Sequence, residues 1–297
     1  DPESMARIRE NFRYWGDIET HYRGELLRST GHGFCGLSRK KLLMILQERC
    51  RELGVELHFQ AEVSDLESVR AGADLVLAAD GVNSAVRTRW AEHFRPSIDW
   101  RKCKFCWLGT TRTLSAFTFL FEPSEYGLFT VHAYPFEEGL STFIVECREE
   151  TWKRAGLDQA SEAETVRFCE KLFERQLDGH RLLSSRSLWR TFPTIANERW
   201  SHENVVLIGD AAHTAHFSIG SGTKLAMEDA IALCNTVKRL GTGDVPAVLA
   251  AYEEARKGDV IRTQRAAQTS LEWFENAERY WGQDPFLFDF NLMTRDR

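Results

Sequence analysis

No stretch of the 297-residue sequence approaches the roughly twenty consecutive apolar residues that cross a bilayer, so no membrane association is expected. No basic tract is present either. Lysine and arginine total 38 against 44 acids, the signs are interspersed, and a net charge of -6 offers little to a polyanion. No nucleic-acid partner is therefore expected, and no acidic tail suggests a solvating arm. The seven cysteines are scattered and odd in number, which argues against a disulfide framework and for free thiols in a reducing, cytoplasmic setting. Cys103 and Cys106 form a lone CxxC in a strand-like stretch. Without a second pair at metal spacing it reads as structural rather than as redox or zinc chemistry, and no metal site is expected. There is no signal peptide and no initiator Met. Asp1-Pro2-Glu3-Ser4 opens directly into a helical pattern and Arg297 comes without an obvious stop, so the chain reads as a piece of a longer polypeptide or one whose start is not shown.

The length suits one large or two moderate domains. Nineteen Phe and nine Trp suit a site for planar ligands and equally an ordinary core. One stretch, residues 204–235, organises the rest. Val205-Val206-Leu207-Ile208 is a short β-branched apolar run that suits a strand buried on both faces of a parallel sheet. Gly209-Asp210 ends it and places a carboxylate at the carboxyl end of the strand, the edge where open α/β sheets bind ligands. Gly220-Ser221-Gly222 then precedes Thr223, expected to cap a long helix with Leu225, Ala226, Ala230, Ile231, Leu233 and Cys234 as its apolar positions. Asp210 can accept hydrogen bonds from hydroxyls. Bare glycine backbone lets a flat ring approach, and a helix start favours negative charge. A polyol joined to a ring that becomes anionic fits such a site, and FAD is such a molecule. An ordinary βα unit with a polar loop has the same residues.

In chain order, residues 1–13 are expected to be helical with an N-cap at Asp1 or Ser4, and residues 15–27 to form an exposed strand or ribbon. Gly31, Gly33 and Gly36 follow in GxGxxG spacing, then a helix at 38–53 and a strand at 55–59. A dinucleotide fingerprint needs a buried apolar strand before its first glycine. Arg23, Glu25, Arg28 and Ser29 cannot supply one, so a glycine-rich loop beside a ligand is expected instead. Arg39, in the first turn of the next helix, is either a partner for phosphate or ribityl oxygens or a solvated helix-start arginine. Residues 74–79 read as a second buried parallel strand, turned by Asp80-Gly81, with Ser84 capping a helix and Arg87 behind it. Alternating runs at 105–112, 116–121, 128–134 and 141–146 read as an antiparallel meander. Helical patterns return at 161–177, 245–267 and 269–280, and from Gly282 on the chain is aromatic and irregular. The expected class is α/β: a parallel-sheet domain (1–95 and 190–297) with an inserted, largely antiparallel sheet domain (96–189).

Asp80-Gly81 with Ser84 and Arg87 spells D-G-x-x-S-x-x-R, and Gly209-Asp210-Ala211-Ala212-His213 spells G-D-A-A-H. With a sheet domain between them, these motifs resemble the single-component FAD-dependent aromatic hydroxylases of the para-hydroxybenzoate hydroxylase fold, over residues 31–265. HGFCGLSRKKLL and HFSIGSGTKLAMEDA are further similar to the FAD hydroxylase half of salicylyl-CoA 5-hydroxylase and 2-aminobenzoyl-CoA monooxygenase, a half followed there by a flavin reductase-like barrel. Two features depart from the family pattern. Its first βαβ unit, with the GxGxxG that holds the ADP part of FAD, is absent from this chain. The proline that usually follows G-D-A-A-H is Thr214, with His216-Phe217-Ser218-Ile219 in place of the usual loop.

The resemblance implies a flavin-dependent monooxygenase that hydroxylates an aromatic ring through a flavin C4a-hydroperoxide. It implies FAD as cofactor, NADPH or NADH as reductant, O2 and an aromatic CoA thioester as substrates, and a possible fused C-terminal flavin reductase-like barrel as partner. It implies FAD contacts at Arg39, Asp80, Gly81, Arg87, Gly209, Asp210, Ala211, Gly220, Ser221, Gly222 and Thr223, and substrate contacts at Phe217, Phe119 and Tyr134. No acid–base residue is demanded. His132, His213 and His216 are candidates to polarise a ring hydroxyl or amino group, or else packed histidines. An FAD-dependent reductase working without oxygen, and a non-catalytic segment of a larger flavoprotein, are the competing readings.

Overall fold

The computed structural model describes residues 1–296. Asp1 caps helix α1 (Pro2–Glu10) by accepting the Ser4 N–H, with Pro2 in the first turn, where its missing N–H costs nothing. Strands β1 (Arg13–Trp15), β2 (Ile18–Tyr22), β3 (Glu25–Ser29) and β4 (Phe34–Gly36) lead to helix α2 (Arg39–Glu52). Helix α3 (Leu66–Gly72), strand β5 (Val76–Ala78) and helices α4 (Ala85–Arg89) and α5 (Ala91–Phe94) come next. Strands β6 (Pro96–Thr110), β7 (Phe117–Ser124), β8 (Gly127–Ala133), β9 (Pro135–Glu137) and β10 (Leu140–Arg148) form the meander. Helices α6 (Glu149–Arg154), α7 (Glu162–Leu172) and α8 (Glu174–Leu177) follow, then strands β11 (Leu182–Leu183), β12 (Arg190–Asn197), β13 (Ser201–His202) and β14 (Val205–Leu207). Helices α9 (Gly222–Leu240), α10 (Val245–Glu275) and α11 (Pro285–Met293) close the described chain.

Two compact units emerge. The first comprises residues 1–61, 102–191 and 278–291. Its sheet runs β11-β6-β10-β8-β7-β2-β3, antiparallel except where β2 joins β7 in parallel, from Ile18↔Phe117 to Tyr22↔Phe121. Alternation sends Cys106, Leu120, Val131 and Val145 to one face, where Cys169 and Phe173 of the helical layer cover them. The other face carries Thr20, Tyr22, Phe119, Phe121, Thr130, His132, Ile144 and Glu146, all buried. Tyr22 stacks on Phe288 of α11 with ring centroids 3.8 Å apart.

The second unit comprises residues 62–101, 192–277 and 292–297. Its sheet is β13-β14-β5, with β14 in the middle, fully buried, parallel to β5 and antiparallel to β13. Leu225 and Leu233 of α9 and Val248, Leu249 and Tyr252 of α10 share one apolar cluster with the β14 side chains. Each such buried side chain contributes about 1.5–3 kcal/mol.

Several expectations from the sequence are corrected here. The units do not follow the partition 1–95, 96–189 and 190–297, because β2 is hydrogen-bonded into the large sheet and takes residues 1–61 with it. Residues 15–27 are accordingly no exposed ribbon: β2 is buried at Ile18, Thr20 and Tyr22. Residues 55–59 alternate like a strand but have no strand partner among the described residues, and Val55 and Phe59 stay exposed. Strand β5 is parallel as expected but only half-buried, with Leu77 exposed. Residues 245–275 form one helix rather than two. The polar Thr269 does not break it, because its hydroxyl donates to the Arg265 carbonyl one turn back. The aromatic tail is helical at α11, where Asp284 caps the helix through the Leu287 N–H and Pro285 opens it.

Candidate functional site

Because β5 and β14 lie side by side and parallel, their carboxyl ends bring Asp80-Gly81 and Gly209-Asp210 to one edge of the small sheet. Gly209 turns the chain there with φ +58, and a Cβ on it would lie 3.2 Å from the Ala226 Cβ of α9. Only glycine meets both demands. Asp210 is exposed at this edge, and Ala211 behind it is buried. In the neighbouring loop, Asp80 accepts the Val86 N–H at 3.1 Å and Ser84 accepts the Arg87 N–H at 2.9 Å, so both anchor α4. The buried Arg87 guanidinium donates to the Ala211 carbonyl at 2.9 Å and to that of Val82. Burial pushes its pKa down, with Asp80 opposing. Asp80 and Arg87, expected to contact the cofactor, thus also tie the two strand-end loops to each other and to α4.

Helix α9 starts at Gly222 with Ser221 as N-cap, and no side chain caps it. Thr223, expected as the cap, instead lies exposed inside the first turn. The first-turn N–H groups are left for solvent or a ligand. The Ser221 hydroxyl is buried with no hydrogen-bond partner. Gly220 has φ +64, and a Cβ built on Gly220, Gly222 or Gly81 would meet nothing within 4 Å. Packing therefore does not explain glycine at position 222. Open space beside an uncapped helix start, with one orphaned hydroxyl and a nearby strand-end carboxylate, fits the polyol and anion-forming ring of FAD.

Beneath this edge lies a group that sequence reasoning missed. Asp229, one buried turn along α9 from Leu225, accepts the Gly209 N–H at 2.9 Å and the Arg256 Nε–H at 3.0 Å, and lies 2.8 Å from His213 Nε2. Burial alone raises its pKa, but the His213, Gly209 and Arg256 contacts outweigh that and hold the carboxyl below its usual range. The signal was present: α9 buries Leu225, Asp229, Leu233 and Thr236 at helical spacing, so an acid stands in the core stripe. The expected apolar positions Ala230, Ile231 and Cys234 face outward instead. His213 is a packed histidine, its ring 5.0 Å from Trp200.

The following loop is equally closed. Thr214 donates its hydroxyl to the Pro193 carbonyl at 2.6 Å and accepts the Ile195 N–H at 2.8 Å, which accounts for a threonine in place of the expected proline. His216 is buried, accepts the Ser218 N–H at 3.3 Å and meets Phe192 edge-on at 4.9 Å. Phe217, beside it, is half-buried.

The remaining candidates lie in the first unit. Phe119 and His132 are directly opposite across β7 and β8, with rings 5.3 Å apart. His132 Nε2 lies 3.1 Å from Glu146 Oε2, both groups buried. Tyr134 stacks on Trp15 at 5.7 Å and Phe117 at 5.5 Å, and burial raises the pKa of its hydroxyl. Arg39 is exposed at the start of α2. Gly36 answers to packing: a Cβ there would lie 2.6 Å from the Pro135 carbonyl oxygen. Among the described residues no cluster could hold a metal ion, and no helix is long and apolar enough to cross a membrane. Cys103 and Cys106 are buried free thiols of β6, and burial drives the Cys106 thiol up to about 12, which suits packing rather than redox work.

Salicyloyl-CoA 5-hydroxylase from a Streptomyces species is 42% identical over 99% of this chain, which spans 59% of that protein's length. Protodeoxyviolaceinate monooxygenase from Chromobacterium violaceum is 37% identical over 87% of this chain and 69% of its own. The 3-hydroxy-4-methyl-anthranilyl-[aryl-carrier protein] 5-monooxygenase from Streptosporangium sibiricum is 35% identical over 92% of this chain and 73% of its own. Among solved structures, 2-methyl-3-hydroxypyridine-5-carboxylic acid oxygenase shares the fold, with a TM-score of 0.73 at 18% identity over 99% of this chain and 81% of that one. Residues 3–267 match the FAD binding domain family, and the chain belongs to it.

Proposed function

We propose that this chain is the flavin-binding part of an FAD-dependent monooxygenase that hydroxylates an aromatic ring presented as a thioester. The observation that carries the reading is the uncapped start of α9, where glycines 220 and 222 leave open space and the Ser221 hydroxyl is buried without a partner. Asp210 would accept hydrogen bonds from the ribityl hydroxyls. The first turn of α9 would face the edge of the ring that gains negative charge on reduction, favouring the reduced form. Asp229 would act at one remove, by holding the Gly209 turn that presents Asp210.

The chemistry supplied by FAD when bound is acceptance of reducing equivalents from NADPH or NADH and activation of oxygen. The protein's share is to bind, orient and keep water out. Phe217, half-buried beside His216, offers aromatic surface for the substrate ring. The thioester preference draws on two relatives named for a salicyloyl-CoA and an anthranilyl-[aryl-carrier protein] substrate, in each of which the aromatic acyl group is carried on a thiol. The third relative's name does not require one. A reductase that works without oxygen is the alternative from another class.

The test uses the full-length FAD-loaded protein with NADPH or NADH. Oxygen consumption and hydroxylated product with salicyloyl-CoA, well above those with free salicylate, are expected. Equal turnover of the free acid would remove the thioester assignment. Ring reduction under anaerobic conditions would replace the oxygenase reading with the reductase.

A further inference from the structure

Helix α10 carries a buried serine, Ser270, whose hydroxyl lies 2.9 Å from the Ser218 hydroxyl in the loop that precedes α9. Arg295, beyond α11, reaches the same pair. Its Nε donates to Ser270 Oγ at 2.9 Å, its Nη2 to the Ser218 carbonyl at 3.0 Å and its Nη1 to the Leu292 carbonyl at 2.5 Å. The guanidinium also sits 5.3 Å from the Phe274 ring centre. Burial lowers its pKa to about 10, so it remains a cation at neutral pH.

The loop it grips is short and tightly wound. Ser218 N–H donates to His216 Nδ1, Gly220 N–H donates to the Phe217 carbonyl at 2.9 Å, and Gly220 then turns left-handed into the Ser221 N-cap. A displacement of Ser218 is therefore passed within three residues to the uncapped first turn of α9. The fork geometry of a guanidinium, with donors to two acceptors in fixed directions, suits such a strap, and lysine cannot reproduce it.

We propose that Arg295, with Ser270, is a positioning residue for the ring side of the flavin site, holding the loop at residues 216–220 so that the first turn of α9 is presented to the ring and the substrate-side wall at Phe217 is fixed. The inference rests on the flavin reading of the α9 start and extends it to residues outside both sequence motifs.

Hydrogen exchange on the full-length protein without FAD, comparing parent, Arg295→Met, Arg295→Lys and Ser270→Ala, tests the strap. Exchange of the amides at 217–222 should rise at least tenfold in Arg295→Met and Ser270→Ala, and less in Arg295→Lys, with α10 protection unchanged. In the FAD-loaded enzyme kcat/KM for the aromatic substrate should fall at least fivefold and the flavin midpoint potential should drop in Arg295→Met, each with partial recovery in Arg295→Lys. Unchanged loop exchange in Arg295→Met, or an unchanged kcat/KM together with an unchanged potential, overturns the proposal. Asp210→Ala measured in parallel reports on the flavin reading separately: undiminished FAD affinity there removes that reading whatever Arg295 does.

Discussion

At the scale of single residues, two carboxylates with opposite environments define the candidate site. Asp210 is exposed at a strand end, where it can offer its oxygens to a ligand. A charge-assisted hydrogen bond contributes about 1.5–3 kcal/mol. Asp210→Ala is therefore expected to weaken FAD binding roughly ten- to hundredfold while circular dichroism stays unchanged. Stoichiometric FAD and normal turnover in that variant would remove the assignment. Asp229 is buried and already has the Gly209 N–H, His213 and Arg256 around it. Removing it takes the fully buried carboxylate from the Arg256 cation, which keeps Glu228 at 3.3 Å and Asp259 at 3.8 Å, and leaves the Gly209 N–H without its acceptor. Breaking a buried pair from one side costs up to about 3–5 kcal/mol. Asp229→Ala should lose stability of that order in denaturant titrations. The pH dependence has a definite sign. A carboxyl held below its unfolded pKa contributes fully above that unfolded value, near 4, and its contribution is lost as pH falls through the lower folded value. The stability gap between the parent and Asp229→Asn should be widest at neutral pH and narrow in acid. A gap that widens on acidification would contradict the network.

At the scale of elements, two glycines separate a binding role from a packing role. Gly222 opens α9 with empty space where its side chain would be. Gly222→Val should leave the folded protein's melting temperature nearly unchanged and abolish FAD binding by filling the cradle; retained flavin would show that the ring lies elsewhere. Gly36 in β4 has backbone 2.6 Å from where a Cβ would sit. Gly36→Ala should cost about 1–3 kcal/mol of stability through overpacking, with FAD affinity unaffected in whatever protein remains folded. If that variant loses flavin at full stability, the GxGxxG-spaced glycines serve the ligand after all. The spacing of Gly31, Gly33 and Gly36 could not distinguish these roles, because what crowds Gly36 is Pro135, about a hundred residues away in sequence. The start of α9 was misread for a related reason. Thr223 is a favourable cap residue by type, yet the helix begins one residue earlier at Gly222 and leaves its end open.

At the scale of the whole molecule, local pattern was legible where a segment's own chemistry decides its form. The apolar run of β14 with its acidic turn, the second acidic turn after β5, the meander from β6 to β10 and the starts of α1 and α4 all appear as the residues suggested. The motifs at those turns also carried the resemblance to the FAD-binding family to which the chain belongs. Partnership across the chain was not legible. That β2 adds to the large sheet alongside β7, that residues 55–59 pair with nothing described, and that α10 runs unbroken past Thr269 depend on neighbours distant in sequence. The Asp229 network and the Arg295 strap belong to the same class. An acid in an apolar helical stripe and an arginine beyond the last helix acquire meaning only when folding supplies the donors and acceptors that a buried charge must find. The sequence determined which segments could form a strand-end site; tertiary structure decided which polar groups are closed on the protein and which stay open to a ligand, since hydrogen-bond satisfaction depends on three-dimensional neighbours and not on residue type.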